Sequence, residues 1–306
     1  MPWFKGNLHT HTTNSDGDAS PGHVAGWYEA HGYDWLCLSD HNHLTVLEDE
    51  RASGGRWPML LRGEEVTSLA GEVPVHLNAY GIKRLVEPST ALTVIDSLRD
   101  NVARIRAAGG LAAVNHPNYK WAFSHSELLE VDGYRFVEIF NGHPFVHNEG
   151  GGGSPGYVEI WDRLLSADRR VLGIAVDDSH HYTGEFGSHR SNPGRGWVQV
   201  RSDRLSENGV MEALDRGDFY SSTGVVLGEL ASSEAEIKIE IEPESNRPDN
   251  VARYTTVFTG PDGRVLDRVE GNSAAYRPGK SDGYVRATVL SSRGTRAWTQ
   301  PVFTGG

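Results

Sequence analysis

Two histidines one residue apart, His9 and His11, close the apolar stretch WFKGNLHTH. In an extended strand, residues i and i+2 face the same way, so both imidazoles can meet one metal ion. The same spacing returns at Asp178 and His180 in VLGIAVDDSHH. Ser39-Asp40-His41-Asn42-His43, Gly63-Glu64-Glu65-Val66-Thr67, His76 in VPVHLNAYG and His116 in AAVNHPN complete six polar clusters, each after an apolar run. Asp16 lies in NSDGD, where an Asp-Gly by itself marks a turn. Each fragment alone is ambiguous. Together they sit at expected strand ends, where βα barrels place active sites. A carboxylate can bridge two cations, which holds paired metals ~3.5–4 Å apart to activate a water. Nitrogen and oxygen donors without sulfur favour Zn, Mn or Fe.

The histidine distribution agrees. All 14 fall between His9 and His189. Residues 229–306 carry 11 acidic and 10 basic side chains, which leaves 30 and 19 for residues 1–228. Histidine and carboxylate enriched together suggest cations bound in that first region.

The elements that must position these groups follow from the pattern. WFKGNLHTH, DWLCLSDHN, WPMLLRGEEVTS, VPVHLNAYGI, GLAAVNHPN, RFVEIFNG, RRVLGIAVDDSH and GWVQVRS read as strands. SPGHVAGWYEAHG reads as a helix capped by Ser20 with Pro21 at its first position. ALTVIDSLRDNVARIRAAGG has apolar residues at Leu92, Ile95, Leu98, Val102 and Ile105, a helical period that ends in Gly109-Gly110. YVEIWDRLLSADRR and SENGVMEALDRG read as further helices. This alternation predicts an α/β region over residues 1–228 with a mainly parallel sheet. Residues 229–306 change character. AEIKIEIEP alternates with period two, and ARYTTVFTGPDGRVLDRV is two strands around a Pro-Asp-Gly turn. With GYVRATVLSSRGTRAWTQPVF they predict a small antiparallel β-sandwich.

Composition narrows the class. The 306 residues allow one large domain, or one large and one small. A single cysteine, Cys37, rules out an internal disulfide and any cysteine-rich metal cluster. No apolar run approaches the ~20 residues of a membrane span. MPWFKGNLHTHT shows no basic stretch followed by an apolar one, so the cytoplasm is the expected compartment. The net charge of −12 argues against a nucleic-acid backbone as main partner.

LHTHTTNSDG, LSDHNHL, RGEEVTS, NHPN and VDDSHH, in that order, resemble the PHP (polymerase and histidinol phosphatase) superfamily over about residues 3–228. The Asp-Asp-Ser-His-His ending and GDFYSSTGV resemble its CehA/McbA branch, the carbaryl-hydrolase-like proteins. AWTQPVF looks like the small β-domain appended in that branch. The resemblance implies a distorted seven-stranded βα barrel that holds two or three divalent metals, a trinuclear site when full. Carried over by motif, His9, His11, Glu65 and Asp178 form a first metal site. Glu65, as bridging carboxylate, His76 and His116 form a second. Asp16, His41 and His180 form a third, where many relatives have His in place of Asp16. Asp40, Asp177, His43 and His181 are left as neighbours that orient ligands. The implied chemistry is hydrolysis, most simply of a small phosphomonoester or phosphodiester, with Arg195 in NPGRGW as a cationic helper and Asn141 in EIFNGHP as a hydrogen bond to substrate. A carbamate or carboxylic ester hydrolase and a non-catalytic metal-binding protein are the alternatives. The expected partner is a small molecule, with at most short oligonucleotides among nucleic acids.

Overall fold

The computed structural model describes residues 1–47, 57–243 and 251–305. Its first part holds β1 (Trp3–Asn7), α1 (Pro21–Ala30), β2 (Trp35–Cys37), β3 (Met59–Leu61), β4 (Gly63–Ala70), β5 (Val73–Tyr80), α2 (Val94–Ala107), β6 (Leu111–Val114), α3 (His125–Leu128), β7 (Phe136–Asn141), α4 (Tyr157–Ser166), β8 (Leu172–Val176), β9 (Trp197–Arg201), α5 (Glu207–Arg216) and β10 (Phe219–Ser222). Then follow β11 (Val226–Ser232), β12 (Ile237–Glu242), β13 (Tyr254–Thr259), β14 (Val265–Glu270), β15 (Ser273–Tyr276), β16 (Tyr284–Ser291), β17 (Arg296–Thr299) and β18 (Val302–Phe303). The architecture is mixed α/β. No helix among the described residues is long and apolar enough to cross a membrane.

Local chemistry sets the helix ends. Ser20 accepts a hydrogen bond from the His23 N–H, and Pro21 opens α1. Thr93 caps α2 through the Asp96 N–H, so the helix begins after Leu92, which is 82 % exposed and outside the apolar stripe expected of it. Leu98, Val102 and Ile105 are buried in the core that α2 shares with β4 and β5.

The sheets are less parallel than the βα alternation suggests. In the five-stranded sheet β5 is antiparallel to both β4 and β6, and β6, β7 and β8 run parallel. Between β4 and β5 the reason is the two-residue turn Gly71-Glu72, with Gly71 at φ +64°, because so short a loop can join only antiparallel strands. β1, β2 and β3 are parallel, but β1 also pairs antiparallel with β9, and β9 with β10. Isolated parallel bridges between Thr10 and Ser179 and between His41 and Glu65 join the chain just beyond β1 and β2 to the two edges, β8 and β4, of the five-stranded sheet. These contacts lie beyond the ends of β1 and β8 and between β2 and β4, where the candidate ligands stand.

The C-terminal strands do not stand apart. β17 pairs with β10, so the sheet that contains β1 continues through β17, β16, β13 and β14. β11 runs across residue 228 and forms a three-stranded sheet with β12 and β15. Leu227, Ile239 and Ile241 of that sheet share one core with Phe258, Val285 and Val289 of the long one.

One ion pair fastens α4 to these strands. Arg286 donates to Asp162 twice, at 2.7 Å each, and Tyr284 Oη donates at 2.8 Å, with both charged side chains buried. Breaking a buried pair from one side leaves an uncompensated charge. Asp162→Ala is therefore expected to cost about 3–5 kcal/mol in urea unfolding. A loss below about 1 kcal/mol would show that water reaches Arg286 and that the pair is an ordinary surface contact.

Candidate metal centre

Residues just beyond β1, β2, β6 and β8 meet Glu65 near the start of β4 and His76 in the middle of β5, so the expected side chains form one cluster although not all stand at strand ends. His9 and His11 follow β1, and their Nε2 atoms each lie 3.3 Å from Glu65 Oε2 and 3.3 Å from Asp178 Oδ1. Both Nε2 atoms are buried without a hydrogen-bond partner. Two ligands of a tetrahedral ion with bonds of about 2.0–2.1 Å stand about 3.4 Å apart, so each of these imidazole–carboxylate distances suits two donors to one cation. Glu65 turns its other oxygen to His76 Nδ1 at 3.0 Å and His116 Nε2 at 3.2 Å. Asp16 meets His180 Nε2 at 3.3 Å and His41 Nε2 at 3.5 Å. His9, His11 and Asp178 can hold one ion, Glu65 with His9 and His116 or with His41 and His76 another, and Asp16 with His11, His41 and His180 a third.

Alternation along β4 separates the two glutamates. Glu65 faces the histidines, while Glu64 turns away and accepts the Val86 N–H at 2.6 Å. Burial pushes the Glu64 carboxyl up to about 7. Burial acts the same way on Glu65, but His41, His9 and His76 outweigh it and hold that carboxyl well below the usual range. Asp178 is held low by His9, His11 and His180 against the same cost of burial. Burial lowers the imidazoles, yet Asp178, Glu65 and Glu138 raise His9, and Glu65 and Asp16 raise His41 to about 11. Asp178 and His116 occupy left-handed backbone, at φ +49° and +20°. Such conformations persist where surrounding structure enforces them, often at functional sites.

The remaining expected residues divide. Asp40 accepts from the Thr12 N–H, Thr12 Oγ1, Ser15 Oγ and Thr45 Oγ1, so it shapes the loop between His11 and Asp16 without touching a ligand side chain. Asp177 accepts from the N–H groups of Gly194, Arg195 and Gly196 and from Tyr28 Oη. His43 is exposed. His181 accepts the Ser191 N–H at 3.1 Å and lines the cavity rim. Arg195 does not reach the cluster as a cationic helper, because its guanidinium donates to the Gly142 and Gly187 carbonyls at 2.7 Å each. Asn141 is fully buried and spends its amide on Glu138 and Asp178, at 2.9 and 3.1 Å, so it supports the cluster where a substrate contact was expected.

Three residues escape the sequence reading. Glu138 is fully buried and bonds His9 Nδ1 at 2.7 Å. Its signal is a lone charge inside the apolar strand RFVEIF. Asn115 donates to Glu65 Oε1 at 2.8 Å. His143, which has no spacing signal, lines a cavity of about 180 Å³ with Tyr119, Val146 and the ligand candidates. Its Nδ1 accepts the Phe145 N–H, and burial lowers its pKa to about 4, so the ring is neutral.

No protein-family model matches the sequence, and no curated protein matches it. Among solved structures, a two-domain protein of Bacteroides vulgatus containing a predicted PHP-like metal-dependent phosphoesterase aligns with 100 % of this chain and 88 % of its own, with TM-score 0.54 and 18 % identity. A protein of Bifidobacterium adolescentis, named provisionally as a metal-dependent phosphoesterase, aligns with 69 % of this chain and 96 % of its own, with TM-score 0.43 and 16 % identity. A lesion-specific endonuclease of Pyrococcus furiosus aligns with 70 % of this chain and 56 % of its own, with TM-score 0.43 and 12 % identity. The chain has the PHP-like fold of the Bacteroides vulgatus protein.

The raised histidines fix a sign. Near pH 7.5 the metal-free cluster holds a proton on His41, the neighbouring carboxylates shift His9 in the same direction, and a metal ligand must be unprotonated. Metal binding there should release protons, and affinity should rise as pH rises toward the His41 value of about 11. Titration calorimetry of metal-free protein in buffers of different ionisation enthalpy checks this. Heats that do not depend on the buffer would show that these imidazoles are already neutral or take no part.

Proposed function

We propose that the chain is a metal-dependent hydrolase of the PHP superfamily, in its CehA/McbA-like branch, and that it cleaves a small phosphomonoester or phosphodiester. The observation that carries this is the pair of bare, buried Nε2 atoms of His9 and His11 facing two buried carboxylates, a donor set that suits two or three Mn, Zn or Fe ions. Residues 1–228, read as a distorted seven-stranded βα barrel, would form the hydrolase unit, and residues 229–306, read as a small sandwich, would brace it. Bound cations lower the pKa of a water and stabilise charge that develops on substrate oxygens. The chain's own part is geometric. Glu65 offers one oxygen to each side of the cluster, Asp178 closes the inner side, and the small cavity limits what can approach.

A second reading, hydrolysis of a carbamate or carboxylic ester, draws on the cavity wall. Its side chains are carboxylates, imidazoles, Tyr119 and Val146, and the neutral His143 suits an uncharged substrate. Phosphoester cleavage in the same wall leaves neutralisation of phosphoryl charge to the cations.

Protein loaded with Mn or Zn and assayed against phosphomonoesters, phosphodiesters, aryl esters and aryl carbamates decides between them. Hydrolysis of phosphoesters is expected, and Glu65→Gln should abolish it while Glu64→Gln stays near wild type. Cleavage of esters or carbamates alone would establish the second reading. A metal-loaded protein inert on the whole panel would point to a non-catalytic metal-binding role.

A further inference from the structure

We infer that Glu138 is the positioning residue that assembles this metal centre, a role that rests on the metallohydrolase reading. A carboxylate buried without partners costs several kcal/mol. Glu138 is fully buried between the buried Val137 and Ile139, and it is not one of the donors facing a candidate ion. Its oxygens are fully engaged. Oε1 lies 2.7 Å from His9 Nδ1. Oε2 accepts the His116 backbone N–H at 2.8 Å and Asn141 Nδ2 at 2.9 Å. That same Asn141 nitrogen reaches Asp178 Oδ2 at 3.1 Å. One carboxylate thus orders three candidate ligands, from three different strand ends.

The backbone is shaped for this. In a regular strand, residues i and i+3 point to opposite faces. The register between β7 and β8 shifts between Glu138 and Phe140, an irregularity of the kind that re-aims side chains. Glu138 and Asn141 therefore meet on the side of the cluster.

The consequence concerns the proton on His9. A carboxylate that accepts from Nδ1–H leaves the Nε2 lone pair free, and Nε2 is the atom that faces Glu65 and Asp178. In Glu138→Gln, one carbonyl oxygen and one amide nitrogen replace two acceptors for three donors. If the amide nitrogen faces His9, the ring must shift its proton to Nε2, where the ion binds. If it faces His116 and Asn141, the loop that carries His116 loses its acceptor.

The test is metal affinity. Metal-free wild type and Glu138→Gln are titrated with zinc against a competing chelator, and bound zinc per chain is counted. The variant should lose about 10–100-fold in affinity, the scale for removing an outer partner of a ligating histidine, with unchanged far-UV circular dichroism. In zinc-loaded wild type, nitrogen NMR should show His9 protonated at Nδ1. Wild-type affinity in Glu138→Gln, or His9 protonated at Nε2 in the wild type, would overturn the inference. Should Glu138→Gln fail to fold, Glu138→Asp keeps the charge but shortens the reach. A smaller loss of affinity there supports the inference, and an unchanged affinity overturns it. A wild type that binds no zinc would overturn the metallohydrolase reading with it, whereas equal binding by wild type and variant would remove only the role of Glu138.

Discussion

The energetic problem at the heart of this molecule is the burial of Glu65 and Asp178. Each carboxylate is removed from water, and burial alone would drive each toward its neutral form. What keeps them ionised is a shell of imidazoles drawn from two sheets, most of them just beyond strand ends and His76 from within β5. That shell exists only if the two sheets meet at these strands, and the bridge between His41 and Glu65 is itself a pairing of two candidate ligands. The fold and the cluster are therefore one constraint. Imidazoles and carboxylates gathered in this way are also the donor types that suit divalent cations.

The acidic doublets and the Asp-His pair show how the chain supports that arrangement. In Glu64-Glu65, Asp40-His41 and Asp177-Asp178, the second residue faces the cluster. The first holds backbone: Glu64 at Val86, Asp40 at Thr12, Asp177 at Gly194 to Gly196. For Glu64-Glu65 on β4 alternating side-chain direction makes this division natural, because adjacent residues on an extended chain serve opposite faces, whereas Asp178 stands past the end of β8 in left-handed backbone. The loops that bear the ligands are thus tied down by carboxylates that never touch an ion. Asn141 and Arg195 belong to the same supporting class, although their residue types suggest direct contact with substrate.

Much of the cluster was legible in the sequence, and physical reasons divide what was from what was not. Paired spacing is local, so His9, His11, Asp178 and His180 could be named from the chain alone, whereas Glu65, His76 and His116 took their roles from the resemblance to the PHP motifs. The choice of Glu65 over Glu64 follows from strand alternation once the partner strand is known. Glu138 and Asn141 could not be paired by period-two reasoning, because a shift in register brings them to one side. His143 sits on a loop with no period at all. The mainly parallel sheet failed at Gly71-Glu72, a turn short enough to force a hairpin but lacking the Asn-Gly or Asp-Gly signature. The pairing of β17 with β10 joins residues more than 70 positions apart, beyond the reach of any local pattern.

Burial grades the cluster from inside to outside, and this orders the strength of its parts. His9, His11, Glu65 and Asp178 are all but closed to solvent, whereas the side chain of Asp16 is 55 % exposed. Interactions among the inner groups act at low effective dielectric, and those of Asp16 are weakened by water and salt. Asp16 is nonetheless the only carboxylate among the donors of its own group, with His11, His41 and His180. An ion there would have a harder and more negative ligand than a fourth histidine supplies, but a less rigid one. The inner ions would then be held by the fold, and the outer one chiefly by charge. A cation held in that way can exchange one ligand for a substrate oxygen without disturbing the buried carboxylates on which the strand ends depend.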